Sequence, residues 1–425
     1  MRTKITNARL LDPATNLDET GDVLIEDGLI SKIGDAPGKA DETIDASGLC
    51  LAPGIIDLRV KTGEPGSEHL ETIETASRAA VSGGVTSMVI MPDTNPAIDD
   101  IALVEFITRR GDAHALNRVY PSGALTNGLK SESLAEIGMM QEAGAVFFSN
   151  GEHSVANPSL MKRALTYAAS HNAIICTRAE DANLIGSGVM NAGGLAQRMG
   201  LAGMGEDAEL AMVNRDLMLA AYAGTRFILD QISTARSVQA IEAYKDEGKD
   251  VHATVAAHSL FFNELDIGDY LTYCKVSPPF RAEDDRLALI DAVKRGSIAA
   301  VVSAHNPQPP ETKRLPFVEA AFGAAGLETT LSAMLTLVAD ERLTMLEALR
   351  PLTCGPADLM GWEQGRLKEG APADLVLFDP AKPWACKRED LLSRSTNSPF
   401  DGRLLQGRAI MTLVGGDVVF ERQSK

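Results

Sequence analysis

Two textures of hydrophobic spacing divide the chain. Residues 4–11 and 22–30 are short runs of β-type residues, set apart by Pro, Asp and Gly turn signals. Residues 373–379, 409–414 and 417–421 repeat that style near the other end, with Gly415-Gly416 as a hairpin turn. Neither end supplies enough strands to bury a core alone. The pattern therefore predicts one small composite β-sandwich domain, built from residues 1–51 and 363–425.

Between them, residues 52–362 alternate short apolar runs with longer helical spacing. The run at 86–91 precedes a helical pattern near 99–110, and 145–148 precedes one near 157–170. Runs at 173–176, 226–229 and 298–302 continue the series. Repeated β-then-α order over this length predicts an α/β fold with parallel strands inside and helices outside, a (β/α)8 TIM-like barrel. A doubly wound open sheet is the alternative. Chemistry in a barrel sits at the C-terminal ends of its strands. Those ends are polar here: Arg59 and Lys61, Asp93, Asn150, Thr177 and Arg178, Gln231, then Ala304 and His305.

Charge narrows the partners. The 425 residues carry 58 acidic against 40 basic side chains, a formal net charge of −18. That balance repels nucleic acid and anionic membrane surfaces, and it suits either a solvated acidic surface or a basic protein partner. No stretch approaches the roughly 18 apolar residues of a membrane span. Five cysteines without CxxC spacing fit reduced thiols and a cytoplasmic location.

Longer motifs then point to a family. The segment Pro53-Gly54-Ile55-Ile56-Asp57-Leu58-Arg59-Val60-Lys61 resembles the first barrel strand of the amidohydrolase superfamily, P-G-x-I-D-x-H-x-H. Met91-Pro92-Asp93-Thr94-Asn95-Pro96, Ile232-Ser233-Thr234-Ala235, Val276-Ser277-Pro278-Pro279-Phe280-Arg281 and Asn397-Ser398-Pro399-Phe400 follow in order. Together they resemble the bacterial type I dihydroorotases over nearly the whole chain. The resemblance implies the amidohydrolase barrel, and a zinc-dependent hydrolysis or closure of the dihydroorotate ring amide. There a metal-bound hydroxide attacks the carbonyl and an Asp moves the proton.

Every position that the family uses for that chemistry is altered. Arg59 and Lys61 stand where two His ligands belong, Asn150 where an Asp belongs, and Thr177 and Gln231 at the two later His positions. Ala304 replaces the proton-shuttling Asp. Substrate contacts are eroded as well: Gly63 replaces the carboxylate-clamping Arg, Asp93 and Ser277 replace Asn, and Gln308 replaces His. Metal ligands must offer a lone pair, which a guanidinium or ammonium cannot. The resemblance thus moves to the non-catalytic dihydroorotase-like proteins, which support the assembly of aspartate carbamoyltransferase in pyrimidine synthesis. It implies no bound zinc and that enzyme as partner; a homo-oligomer is a separate expectation. A divergent cyclic amidohydrolase with a rebuilt or metal-free site, and a small-anion binding module, are the other readings.

A relic pocket would gather Arg59, Lys61, Asp93, Arg178, Ser277 and His305. Buried cations are costly unless paired, so Arg59, Lys61 and Arg178 are expected to form an ion-pair plug with Glu180, Asp181, Asp93 or Glu64. The proline-rich segment 304–314 is expected to be a rigid loop rather than a mobile lid. Gly186-Ser187-Gly188 and Gly203-Met204-Gly205 fit no phosphate-loop motif and read as loop glycines.

Overall fold

A computed structural model describes residues 2–34 and 39–423. Eight parallel strands form its centre. In chain order they are Ile55–Val60, Val85–Ile90, Arg118–Pro121 continued by Gly123–Ala124, Phe148–Ser149, Ile175–Arg178, Phe227–Asp230, Val251–Ala256 and Ala300–Val302. Each pairs in parallel with the next where a ladder is formed. The eighth returns to the first through a parallel bridge between Val60 and His305, reinforced by the Lys61 N–H donating to the His305 carbonyl at 2.9 Å. The cylinder is therefore closed, and the open-sheet alternative does not apply.

Parallel barrel strands are covered on both faces, which explains their continuous apolar runs. Ile56, Leu58, Val89, Phe147, Cys176, Ile228 and Val302 fill the interior. Ile55, Val60, Met88, Phe148, Leu229 and Val301 face the surrounding helices. Among those helices, Ile73–Ser82 begins at Thr72, whose hydroxyl accepts from the Thr75 N–H in a capping box, and Ile101–His114 begins at Asp100, which accepts from the Leu103 N–H. Such caps satisfy amides that the helix itself leaves open. Gly54 is dictated by packing: a Cβ there would sit 2.2 Å from the Thr86 side chain.

Both chain ends contribute to a second, eight-stranded sheet. Arg2–Asp12, Leu17–Glu26, Leu29–Gly34, Glu42–Asp45 and Cys50–Pro53 come from one end, and Leu375–Ala385, Leu404–Val414 and Asp417–Glu421 from the other. The two halves meet where Cys50–Pro53 pairs antiparallel with Leu375–Phe378. Ile5, Val23, Ile25, Leu51, Leu375, Leu377 and Leu413 bury a common core. Arg118 ties this sheet to the barrel with a two-pronged contact to Asp374, at 2.7 and 3.0 Å. Among the described residues, no helix is long and apolar enough to cross a membrane.

Candidate functional site at the barrel mouth

The first strand reaches the mouth through an irregularity. Between Asp57 and Val60 it holds one residue more than its neighbour, whose matching positions are Met88 and Ile90. A bulge of this kind bends the strand and re-aims a side chain. Arg59 and Lys61 consequently converge on the same carboxylate, Glu152.

Glu152 is the hub of the mouth. Arg59 Nη2 lies 2.8 Å from its Oε1, Arg178 Nη1 is bonded to its Oε2, and Lys61 Nζ stands 3.9 Å away. Burial alone would raise the carboxyl pKa, but Arg59, Lys61 and Arg178 outweigh burial and hold it at about 2. Each cation has a second anchor. Arg59 Nη1 donates to Asp230, Lys61 Nζ lies 2.6 Å from Asp93, and Arg178 Nε lies 2.9 Å from Glu180. The Gln231 side-chain amide also lies against the Arg59 guanidinium. Asp230 accepts in turn from the Thr254 hydroxyl at 2.9 Å. Arg59 is 2% exposed, so a cation that is normally hydrated has been moved into the barrel and repaid by two carboxylates.

The four carboxylates Asp93, Glu152, Glu180 and Asp230 thus surround the three cations Arg59, Lys61 and Arg178. Ser277 sits inside this layer, accepting from Arg178 at 2.7 Å and donating to Glu180 at 3.1 Å. Asp93 and Glu180 are partners the sequence suggested. Glu64 and Asp181 are not: Glu64 accepts from the Ile73 N–H and pairs with Arg110, and Asp181 caps the short helix Ala182–Ile185. Glu152 and Asp230 were missed. The available signal was position, since Glu152 lies two residues beyond Asn150 and Asp230 immediately before Gln231. Both therefore fall at strand ends that already carried weight.

Asn150, Thr177 and Ala304 stand outside this ion-pair layer. Asn150 accepts from the Thr126 hydroxyl at 2.7 Å and donates to Ser131 Oγ at 3.1 Å. Among the described residues the buried Thr177 hydroxyl has no hydrogen-bond partner, and Ala304 is buried at a φ of +51°. His305 departs from the expected relic pocket. Its ring is held elsewhere, with Nδ1 accepting from the Gly326 N–H at 3.3 Å and Nε2 3.4 Å from the buried Glu71. Arg59, Arg178 and Ser277 also lie outside the open space that remains. That space measures about 130 Å³ and is lined by Lys61 and Asp93 with Thr62, Asn95, Asn306 and Gln308. It is smaller than the roughly 300 Å³ at which ligand pockets begin.

Loops close over it. Gly66 packs so tightly that a Cβ would lie 1.8 Å from the Asn95 carbonyl. Asn397 accepts from the Gln308 N–H at 3.0 Å and donates to the Asn306 carbonyl at 3.2 Å. Lys313 Nζ donates to the carbonyls of Thr272, Lys275 and Ala321 at 3.1, 3.2 and 2.7 Å. The 304–314 segment is thus tied down at both ends.

The donor set does not fit a catalytic metal. Arg59, Lys61, Asn150, Gln231, Thr177 and Ala304 present a guanidinium, an ammonium, two amides, a hydroxyl and a methyl group. Among the described residues, no three His, Cys, Asp or Glu converge to hold a metal ion.

Comparison with known proteins places this geometry in a lineage. The dihydro-orotase-like family matches residues 48–237, and the amidohydrolase family matches residues 321–420. A dihydroorotase of Syntrophotalea carbinolica is 40% identical over 421 residues, covering 99% of both chains. A dihydroorotase of Pelobacter propionicus is 40% identical over 425 residues, covering 99% of this chain and all of that one. Among solved structures, the L-hydantoinase (dihydropyrimidinase) from Arthrobacter aurescens superposes with a TM-score of 0.91 at 26% identity, over 99% of this chain and 96% of the other. With its closed barrel, its two-ended sheet and full-length relatives of this kind, the chain belongs to the dihydroorotase-like amidohydrolase family.

Proposed function

We propose that this protein is a catalytically inactive dihydroorotase homologue that serves pyrimidine biosynthesis as a structural partner of aspartate carbamoyltransferase. One observation carries the loss of catalysis. Arg59, at a family metal-ligand position, is buried and locked between Asp230 and Glu152. A metal cannot share that place with a guanidinium, and without a metal the usual route to hydroxide near neutral pH is gone. The relatives named dihydroorotase support the pathway. The partnership rests on the likeness to non-catalytic members of the family. The small-anion reading is disfavoured by the charge at the mouth, where four carboxylates outnumber three cations.

Two measurements test the proposal. The purified protein should contain no stoichiometric zinc and show no dihydroorotate hydrolysis above background. Size-exclusion chromatography with light scattering should give a stoichiometric complex with the same organism's aspartate carbamoyltransferase, larger than either protein alone. Tightly bound zinc with ring-opening activity sinks the inactive reading; separate elution at micromolar concentrations sinks the scaffold reading.

A further inference from the structure

The opposite end of the barrel is built differently from the mouth. Beside the N-terminal ends of strands six to eight lies a cavity of about 600 Å³. Arg226, Asp250 and Ala299 line it, and each immediately precedes one of those strands. The cavity lies across the barrel from the ion-pair layer and shares no lining residue with it.

Its charge runs against the rest of the molecule. Five cationic side chains line it: Arg226, Lys245, Arg295, Arg350 and Arg366. Three of them have carboxylate partners. Arg226 lies 2.9 Å from Asp250, Arg295 lies 2.8 Å from Glu242, and Arg366 pairs with Asp358. Lys245 and Arg350 have no ion pair among the described residues; Lys245 Nζ donates to the Ser297 carbonyl at 2.9 Å. Five cations against three carboxylates leave an excess of two, in a chain whose net charge is −18. Desolvation lowers the pKa of Lys245 despite the nearby Glu242 carboxylate, so an anion beside it would relieve an existing cost.

The excess and the volume together define a ligand class. Two unmatched cations suit a dianion, and a phosphate monoester carries about that charge at neutral pH. Inorganic phosphate is far too small for the space, which falls within the range of small-molecule sites. Val293, Ile298 and Pro351 supply an apolar wall for an organic group. We propose that this cavity binds a phosphate monoester of nucleotide size, with the phosphate between Lys245 and Arg350 and the organic part against Ile298 and Val293.

Isothermal titration of the full chain with uridine 5′-monophosphate, adenosine 5′-monophosphate and inorganic phosphate tests this. Neither Arg350→Ala nor Lys245→Met strands a carboxylate, and thermal melts verify that both variants fold. Saturable binding of a nucleotide is expected, weakened by added salt and weakened about tenfold or more in each variant. Arg78→Ala, on a distant exposed helix face, should leave it unchanged. No saturable heat with any probe, or affinity unaltered in both variants, overturns the site. Affinity for inorganic phosphate equal to that for the nucleotides overturns the assignment to an ester.

Discussion

Glu152 shows how one carboxylate can hold three cations together. Its carboxylate gathers Arg59, Lys61 and Arg178, each of which would otherwise be desolvated without full compensation. Glu152→Gln should therefore cost about 3 kcal/mol in urea unfolding, well above the typical surface substitution. Because its folded pKa is depressed from 4.5 to about 2, its stabilisation is complete above pH 4.5 and fades as pH falls toward 2. Asp57 acts in the other direction. Burial raises its pKa from 3.8 to about 6, although the N–H groups of Arg59 and Ser303 donate to it. The folded state then holds the proton more tightly, so stability is greatest below pH 3.8 and is lost as pH rises through 6. Asp216, raised to about 6 by burial against Arg215, behaves alike. Denaturation from pH 4 to 7 should show a decline on the order of 3 kcal/mol per group, and Asp57→Asn should remove one share of it. A profile unchanged by that substitution would contradict the assignment.

At the scale of elements, the mouth depends on features that bring distant segments together. The bulge in strand Ile55–Val60 turns Arg59 and Lys61 toward Glu152, which lies on the loop after strand Phe148–Ser149. The closing loop depends on Lys313, whose ammonium serves three carbonyls from two other segments. Lys313→Met keeps most of the stem and removes all three donors. Limited proteolysis of that variant should cut within 304–322 at least several-fold faster than the parent, because three buried acceptors lose their partner. Equal cleavage rates would show that the prolines alone hold the loop.

For the whole molecule, the issue is whether the barrel and the two-ended sheet behave as one unit. Asp374 is nearly fully buried and accepts from Arg118 and from the Gly415 N–H at 2.7 Å. Arg118 is partly exposed, so its screened pair is worth less than a fully buried one. Arg118→Ala should lower stability by about 1–2 kcal/mol, mostly through the carboxylate left behind in a dry site. Since Asp374 touches both domains, the loss should appear as a single shifted calorimetric transition rather than an early separate one. A chelator should leave the melting temperature of the parent protein unchanged; a fall would point to a structural metal and count against the inactive reading.

The sequence by itself determined what is local and periodic. Alternating apolar runs and helical spacing announce the barrel, because strands buried on both faces and half-buried helices impose those periods wherever they occur. It also determined that position 59 carries a guanidinium, which has no lone pair to offer a metal in any fold. The choice of counter-charges was decided only by tertiary structure. Glu152 lies 93 residues from Arg59, and Asp230 lies 171 residues away. Many carboxylates could have served, and those at 64 and 181 looked equally apt on paper. Likewise, the ring of His305 was sent to Glu71, and Lys245 and Arg350 were brought to one cavity at the far end of the barrel, by the closure of the cylinder. Which charges meet is fixed by strand register and loop path, quantities that arise when distant segments pack and that no single stretch of sequence carries.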